Sequence, residues 1–364
     1  MSRILTFLGQ GGTGLSTVAI AVAKAAAQTG RRTLLVGHQD GASVADILGV
    51  TAPTEPEAIA ANLSLVELRT TALLEKGWSM VKDLEAQYVK TPFFREIYGQ
   101  ELAVLPGMDS ALALEALRQY DASKDYDSIV YLGAGTIETL RMFGLPEVSS
   151  WYRRRASKAF LGSDLFNALR PFAEPILRSV TNIDRPIDDL VQDMGGAKDV
   201  LEEGRTAVAN RDRVLAYLVT TTDPLAQKTA RFLWGSAQMV GLTVGGVAVN
   251  PGGSGAVASA DFAPLAVREL PALQGSDWSP MVDAVTPFLN VPDVPAPVAI
   301  DESARTVTLF VPGFDKSQIE LSQSGPEITV TAGDQRRNVA LPSSMAGSQA
   351  KGAKFQDMYL IISF

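Results

Sequence analysis

An apolar run that breaks into four glycines within six residues leaves a chain few ways to begin folding. Ile4–Leu8 is such a run, and Gly9-Gln10-Gly11-Gly12-Thr13-Gly14 follows it. Ser16–Gln28 is then rich in alanine and stops near Gly30. The order is strand, glycine loop, helix, helix stop. Glycines let a backbone approach closely, so the N–H groups of such a loop and of the next helical turn converge on an anion. The site predicted here comprises Gly9, Gly11, Gly12, Thr13 and Gly14, with Ser16 and Thr17 on the first turn. It has the outline of a P-loop for ATP or ADP. Ser16 is the Mg²⁺ ligand expected from a hydroxyl at the end of that motif.

Further apolar runs follow at Thr33–Val36, Val104–Pro106, Ser128–Leu132, Val214–Thr220 and Val244–Val249, with helical stretches between them. That alternation predicts an α/β fold with a doubly wound parallel sheet. Two helical inserts are expected, at 55–98 and at about 151–211. The second carries an apolar stripe from Phe160 to Val180, interrupted by Pro171 and Pro175. Trp151-Tyr152-Arg153-Arg154-Arg155, with Lys158, forms a local basic cluster within it.

Composition removes several function classes. There are no cysteines, so disulfides, thiolate metal sites and thiol nucleophiles are excluded. His38 is the only histidine and offers little to a histidine-based metal site or a Ser-His-Asp triad. The formal charge is -8, which does not attract nucleic acid or anionic membrane. No apolar run reaches the roughly 18 residues of a membrane span, and the first eight residues read as a strand rather than a signal peptide. A cytoplasmic protein is expected, touching membranes only indirectly.

The loop resembles the deviant form K-G-G-x-G-K-[ST]-T of the anion-transporting ATPases. That family includes the arsenite-pump subunit and the targeting factor for tail-anchored membrane proteins. Leu105-Pro106-Gly107-Met108-Asp109 is similar to its L-P-G-x-D segment. Thr136–Pro146 resembles the stretch after its second switch. Thr220–Leu225 and Val247-Ala248-Val249-Asn250 resemble its later strands, which makes Asn250 the implied adenine contact. The likeness spans about residues 1–290 and also implies a homodimer that holds hydrophobic client segments.

The departures lie where charge is needed. The family's two lysines are replaced by Gln10 and Leu15. Its first switch, D-P-A-H-S, becomes Gln39-Asp40-Gly41-Ala42-Ser43, which leaves Asp40 as the substitute catalytic carboxylate. In the second switch Leu132 stands for the aspartate, and the zinc-binding C-x-x-C has no cysteines to build it. Phosphoryl transfer depends on positioned charge, and one lost stabiliser costs about 3–4 kcal/mol of barrier. The expectation is a degenerate nucleotide site on a client-binding protein. The alternatives are a slow Mg-ATPase using Asp40 and Ser16, and a sensor of small anions.

From 291 to 299 the prolines of Val-Pro-Asp-Val-Pro-Ala-Pro-Val mark a stiff linker. Residues 300–364 then show strand periodicity at Thr306–Val311, Ile319–Leu321, Ile328–Ala332, Asn338–Leu341 and Tyr359–Phe364. A small all-β sandwich is expected. Pro312-Gly313-Phe314-Asp315-Lys316, Glu327–Val330 and Leu341-Pro342 resemble the α-crystallin domain of small heat-shock proteins.

Overall fold

The computed structural model describes residues 1–38, 43–88, 98, 101, 104–161, 195–253 and 255–364. One compact unit comprises residues 1–67, 118–144 and 207–364; a second comprises 68–117 and 145–206.

The first unit is built on an eight-stranded sheet of β1 (Arg3–Leu8), β2 (Thr33–Gly37), β3 (Glu57–Ala60), β4 (Leu63–Glu67), β5 (Ser128–Leu132), β6 (Val214–Thr220), β7 (Val244–Val249) and β8 (Val267–Glu269). The spatial order is β3-β4-β2-β5-β1-β6-β7-β8. Only β3 runs antiparallel to its neighbour. β2, β5, β6 and β7 are buried at every position, so they carry unbroken apolar runs rather than an alternation. The chain winds out through β2 and β4, returns by β5, then passes β1 to build the other flank. Ligands of such sheets sit at the carboxyl ends of the strands, where the winding reverses. Here that edge lies beside β1.

Two expectations are corrected. The first insert is not helical from its start, because residues 57–67 form β3 and β4 before α3 (Thr70–Tyr88) begins. Val104 and Leu105 are exposed loop residues rather than a strand. They precede α4 (Met108–Ser123), and their apolarity is not matched by burial.

α1 (Leu15–Gln28) lies against the sheet, and its alanines let it pack closely. α2 (Val44–Leu48) starts at a capping box in which Ser43 and Asp46 satisfy each other's N–H groups. α5 (Ile137–Leu161), α6 (Gly195–Ala209), α7 (Pro224–Met239) and α8 (Ser279–Val285) complete the described helices. In the second unit, Gly204 gives room to Pro146, and Arg205 pairs with Glu202 and, at 3.9 Å, with Glu147. The apolar stripe between residues 162 and 180 lies outside the described residues.

The C-terminal region is all-β. A four-stranded sheet has the order β14-β15-β10-β9, with β9 (Val298–Asp301), β10 (Thr306–Phe310), β14 (Gly352–Gln356) and β15 (Tyr359–Ser363). A three-stranded sheet joins β11 (Ile319–Ser324), β12 (Glu327–Ala332) and β13 (Gln335–Ala340). Both are antiparallel. Val307, Leu309, Ile328, Val330, Leu360 and Ile362 close the core between them, joined by Met239 of α7. Val298 and Ala299, the last residues of the proline-rich segment, already pair with β10.

The sandwich is seated directly on α7. A Cβ on Gly235 would overlap Pro312 O, and one on Gly313 would overlap Arg231 O. Phe310 meets Trp234 edge-on at 5.6 Å, and Arg337 Nη1 donates to Gln238 O at 2.5 Å.

Candidate nucleotide-binding site

The glycine loop leaves β1 at the centre of the sheet's carboxyl edge. Gly9 N donates to Gly135 O at 2.9 Å, and its α-carbon faces Val219 O so closely that no side chain fits. Thr13 closes the loop on itself: its N–H (3.2 Å) and its hydroxyl (2.7 Å) both donate to Gln10 O. Gly12 (φ 85°) and Gly14 (φ 88°) take the left-handed conformation that glycine adopts without strain.

Among the described residues nothing covers the outer face of the loop: a Cβ on Gly11 or Gly12 would meet none of their atoms within 4 Å. α1 begins at Gly14 with no side-chain cap and no acidic residue in its first turn. Its orphan N–H groups therefore face outward with the positive end of the helix dipole behind them. Ser16 and Thr17 sit half-buried on that turn. These residues fit a phosphate group held by N–H donors, with two hydroxyls on the same turn that suit a Mg²⁺ bound beside it.

Two polar side chains brace the loop from behind. Asn250, at the end of β7 and 7% exposed, donates through Nδ2 to Thr13 O (2.7 Å) and Gly14 O (3.4 Å). The Gln10 side-chain amide lies 3.4 Å from Thr229 Oγ1 of α7, whose own proton goes to Leu225 O at 2.9 Å. Thus Gln10, at the first lysine position of the resembled motif, packs against the protein.

Leu15 takes the second lysine position and points inward. It is 6% exposed, belongs to the main core, and lies over the α-carbon of Gly135. Leu132, at the second-switch aspartate position, is fully buried in the same core. The segment after it is held by Thr139 Oγ1, which accepts from Gly135 N at 3.0 Å.

Next to this edge the structure gathers the lone histidine, a tyrosine and a glutamate, the last two not singled out by sequence reasoning. His38 N donates to Leu132 O, and its Nδ1 lies 2.8 Å from Tyr131 Oη. Glu67 is 7% exposed, and its Oε1 accepts from Ala45 N at 3.0 Å. Its carboxylate occupies the space where any side chain at Gly37 would lie. A glutamate ending an apolar strand was the available signal. Asp40, the expected substitute carboxylate, lies outside the described residues. Among the described residues no group of three or more acidic or histidine side chains could hold a metal, and no helix is long and apolar enough to cross a membrane.

A glycine loop between a central parallel strand and an uncapped helix, at the carboxyl edge of a doubly wound sheet, defines a P-loop-type nucleotide-binding protein. Residues 2–251 match the anion-transporting ATPases, and residues 302–364 match the HSP20-like domain found in such proteins. The chain belongs to the anion-transporting ATPase family. It is 24% identical over its full length to a putative arsenical pump-driving ATPase of Chlorobaculum tepidum, of which the match covers 96%. A protein of the same description from Prosthecochloris vibrioformis is 25% identical over the full length, again across 96% of that protein. An ATPase ASNA1 homolog of Babesia bovis is 28% identical over 38% of this chain and 37% of its own.

Proposed function

We propose that this family member is a cytoplasmic homodimer that shields hydrophobic segments of client membrane proteins, and that its nucleotide site binds phosphate weakly and turns over little or no ATP. The reading of the site rests on Leu15. Where the family's motif presents an ammonium to the phosphates, this chain buries an isobutyl group under Gly135. The cradle keeps its N–H donors and loses its fixed charge. Phosphoryl transfer draws almost wholly on such charge, so binding outlasts hydrolysis when it is lost. In this reading Gly9, Gly11, Gly12, Thr13 and Gly14 line the phosphate, Ser16 holds Mg²⁺, Thr17 completes the phosphate contacts, and Asn250, the adenine contact implied by the resemblance, serves the cofactor by holding the Thr13 and Gly14 carbonyls. The client reading is supported by the family's resemblance to the targeting factor and by the apolar stripe in the sequence.

The test uses purified full-length protein. Calorimetry with Mg-ATP and Mg-ADP measures binding, phosphate release measures turnover, and a fluorescent apolar helical peptide reports client capture. Saturable nucleotide binding with negligible release, together with micromolar peptide capture, is expected. Turnover of about 1 s⁻¹ or more, an ordinary enzymatic rate, would overturn the degenerate site in favour of a Mg-ATPase using Asp40. Failure to hold the peptide would overturn client binding.

A further inference from the structure

α7 has two differently anchored ends. At its N-terminal half, Thr229 Oγ1 lies against the Gln10 amide of the glycine loop at 3.4 Å while donating to Leu225 O within the helix. The Gln227 amide there donates to Thr222 O (3.1 Å) and Ala256 O (3.3 Å), which ties the helix to the loops after β6 and β7. At its C-terminal half the sandwich grips it through Gly235, Met239 and the Arg337 bond to Gln238 O. Thr229 and Ser236 in the buried half are seven positions apart, about two helical turns. A helix of that length with both ends fixed moves as a rod.

That half of the helix also carries unpaired polar atoms. Among the described residues, Trp234 Nε1, Ser236 Oγ and both amide atoms of Gln238 have no protein partner, although these side chains are at most 1% exposed. Stable interiors pair such atoms, and a surface that also spends time in water has less need to. The seam is also incomplete. A cleft of about 800 Å³ is lined by Lys228, Arg231 and Phe232 of the helix and by Phe314, Asp315 and Asp334 of the sandwich, beside the edge-on contact of Phe232 with Phe314.

We infer that α7 couples the seating of the C-terminal sandwich to the state of the glycine loop, so that filling the loop changes how firmly the sandwich is held, and loosening the sandwich changes the loop. The reciprocity follows from linkage: two sites that bias one element bias each other. This inference deepens the proposed function and rests, for its ligand-bound half, on the loop being the nucleotide site.

Hydrogen exchange read by mass spectrometry on the full chain tests it in two arms. In the ligand-free arm, Arg337→Ala removes the sandwich's bond to α7 and Gly235→Ala displaces Pro312. Amides of residues 9–18 are expected to exchange at least about threefold faster in both, with β2 and β5 unchanged. Loop exchange that stays at the wild-type rate while β10 and β13 accelerate overturns the coupling. So does uniform acceleration that includes β2 and β5, because it reports only lost global stability. In the second arm, millimolar Mg-ATP is expected to protect the loop and to change exchange in β13. Loop protection with no response in β10 or β13 overturns the coupling and leaves the nucleotide reading standing. No protection of the loop overturns the nucleotide reading, and the ligand-free arm still decides the coupling.

Discussion

The side chain of Asn250 donates to the carbonyl of Thr13 at 2.7 Å, from a strand 237 residues further along the chain. This bond holds the inner wall of the glycine loop, and the same amide leaves no room for a Cβ on Gly14. Asn250→Ala leaves Thr13 O without its donor in a buried setting, which costs about 1–3 kcal/mol. The expected result is a lower melting temperature with faster exchange at residues 12–16. Asn250→Asp is expected to be no better, because a carboxylate cannot donate to a carbonyl. Thermal unfolding of both variants checks this.

Gly14→Ala is predicted to be worse than Asn250→Ala. It adds a methyl group into the Asn250 amide and forces a non-glycine residue to φ 88°. The double variant Gly14→Ala with Asn250→Ala relieves the clash and keeps the backbone strain. Its loss of stability is therefore expected to fall short of the sum of the two single losses.

Glu67 supports the segment that follows β2. Its carboxylate accepts Ala45 N–H in a buried setting, so Glu67→Ala strands that donor and opens a cavity under Gly37. A loss of about 2 kcal/mol is expected, with Glu67→Gln closer to wild type because the amide oxygen can still accept. Denaturant melts of the three proteins give the ranking.

The central strands and the glycine loop were legible in the sequence because their burial is local: each is an apolar run ended by glycine or a polar turn. The rest depended on neighbours distant in the chain. β3 is mostly exposed, and Glu-Ala-Ile-Ala, with Ile59 as its one large apolar side chain, is too short and alanine-rich to announce a strand. β14 is likewise a mostly exposed edge strand written as Gly-Ala-Lys-Phe-Gln. Val104 and Leu105 have strand-like side chains, yet both are exposed. At the site, the sequence showed that Leu15 and Leu132 replace charged groups, but not that both are absorbed into one core. Glu67 stood out only as a glutamate ending an apolar strand; its partner could not be read, because its space exists only where β2 and β4 pair Gly37 with Glu67.

Tyr217 sets an alkaline limit on stability. Its ring lies between Phe7 and Phe288, its hydroxyl donates to Phe288 O at 2.8 Å, and burial pushes its pKa up to about 12. The unfolded phenol titrates near 10. A group with a raised folded pKa contributes its stability in full below the unfolded value and loses it as pH rises towards the folded one. Stability is therefore expected to fall between about pH 10 and pH 12. Tyr217→Phe should be less stable at pH 8, because Phe288 O loses its donor, and should show a shallower decline across that window. Melting temperatures measured from pH 8 to pH 12 decide it.

The sharpest test of the site is to put back the charge it lacks. Leu15→Lys restores the lysine of the G-K-[ST] motif on a loop whose N–H donors, glycine geometry and Asn250 brace are already in place. Leu15 occupies a packed position under Gly135, so the substitution removes apolar contacts from the core. An ammonium on a long stem can leave such a site and reach the open face of the loop. Losing the leucine contacts is expected to cost about 1–3 kcal/mol of stability without ligand. Nucleotide affinity is expected to rise at least about tenfold, the return of one charge-assisted bond to phosphate. Turnover is expected to stay negligible, because Leu132 still stands where the second switch needs a carboxylate. Calorimetry and phosphate release on the same preparation separate the two effects. Tighter binding without hydrolysis would mean that the site lost affinity and catalysis through different residues. Hydrolysis gained by this single change would mean that the remaining groups, Asp40 among them, were competent all along.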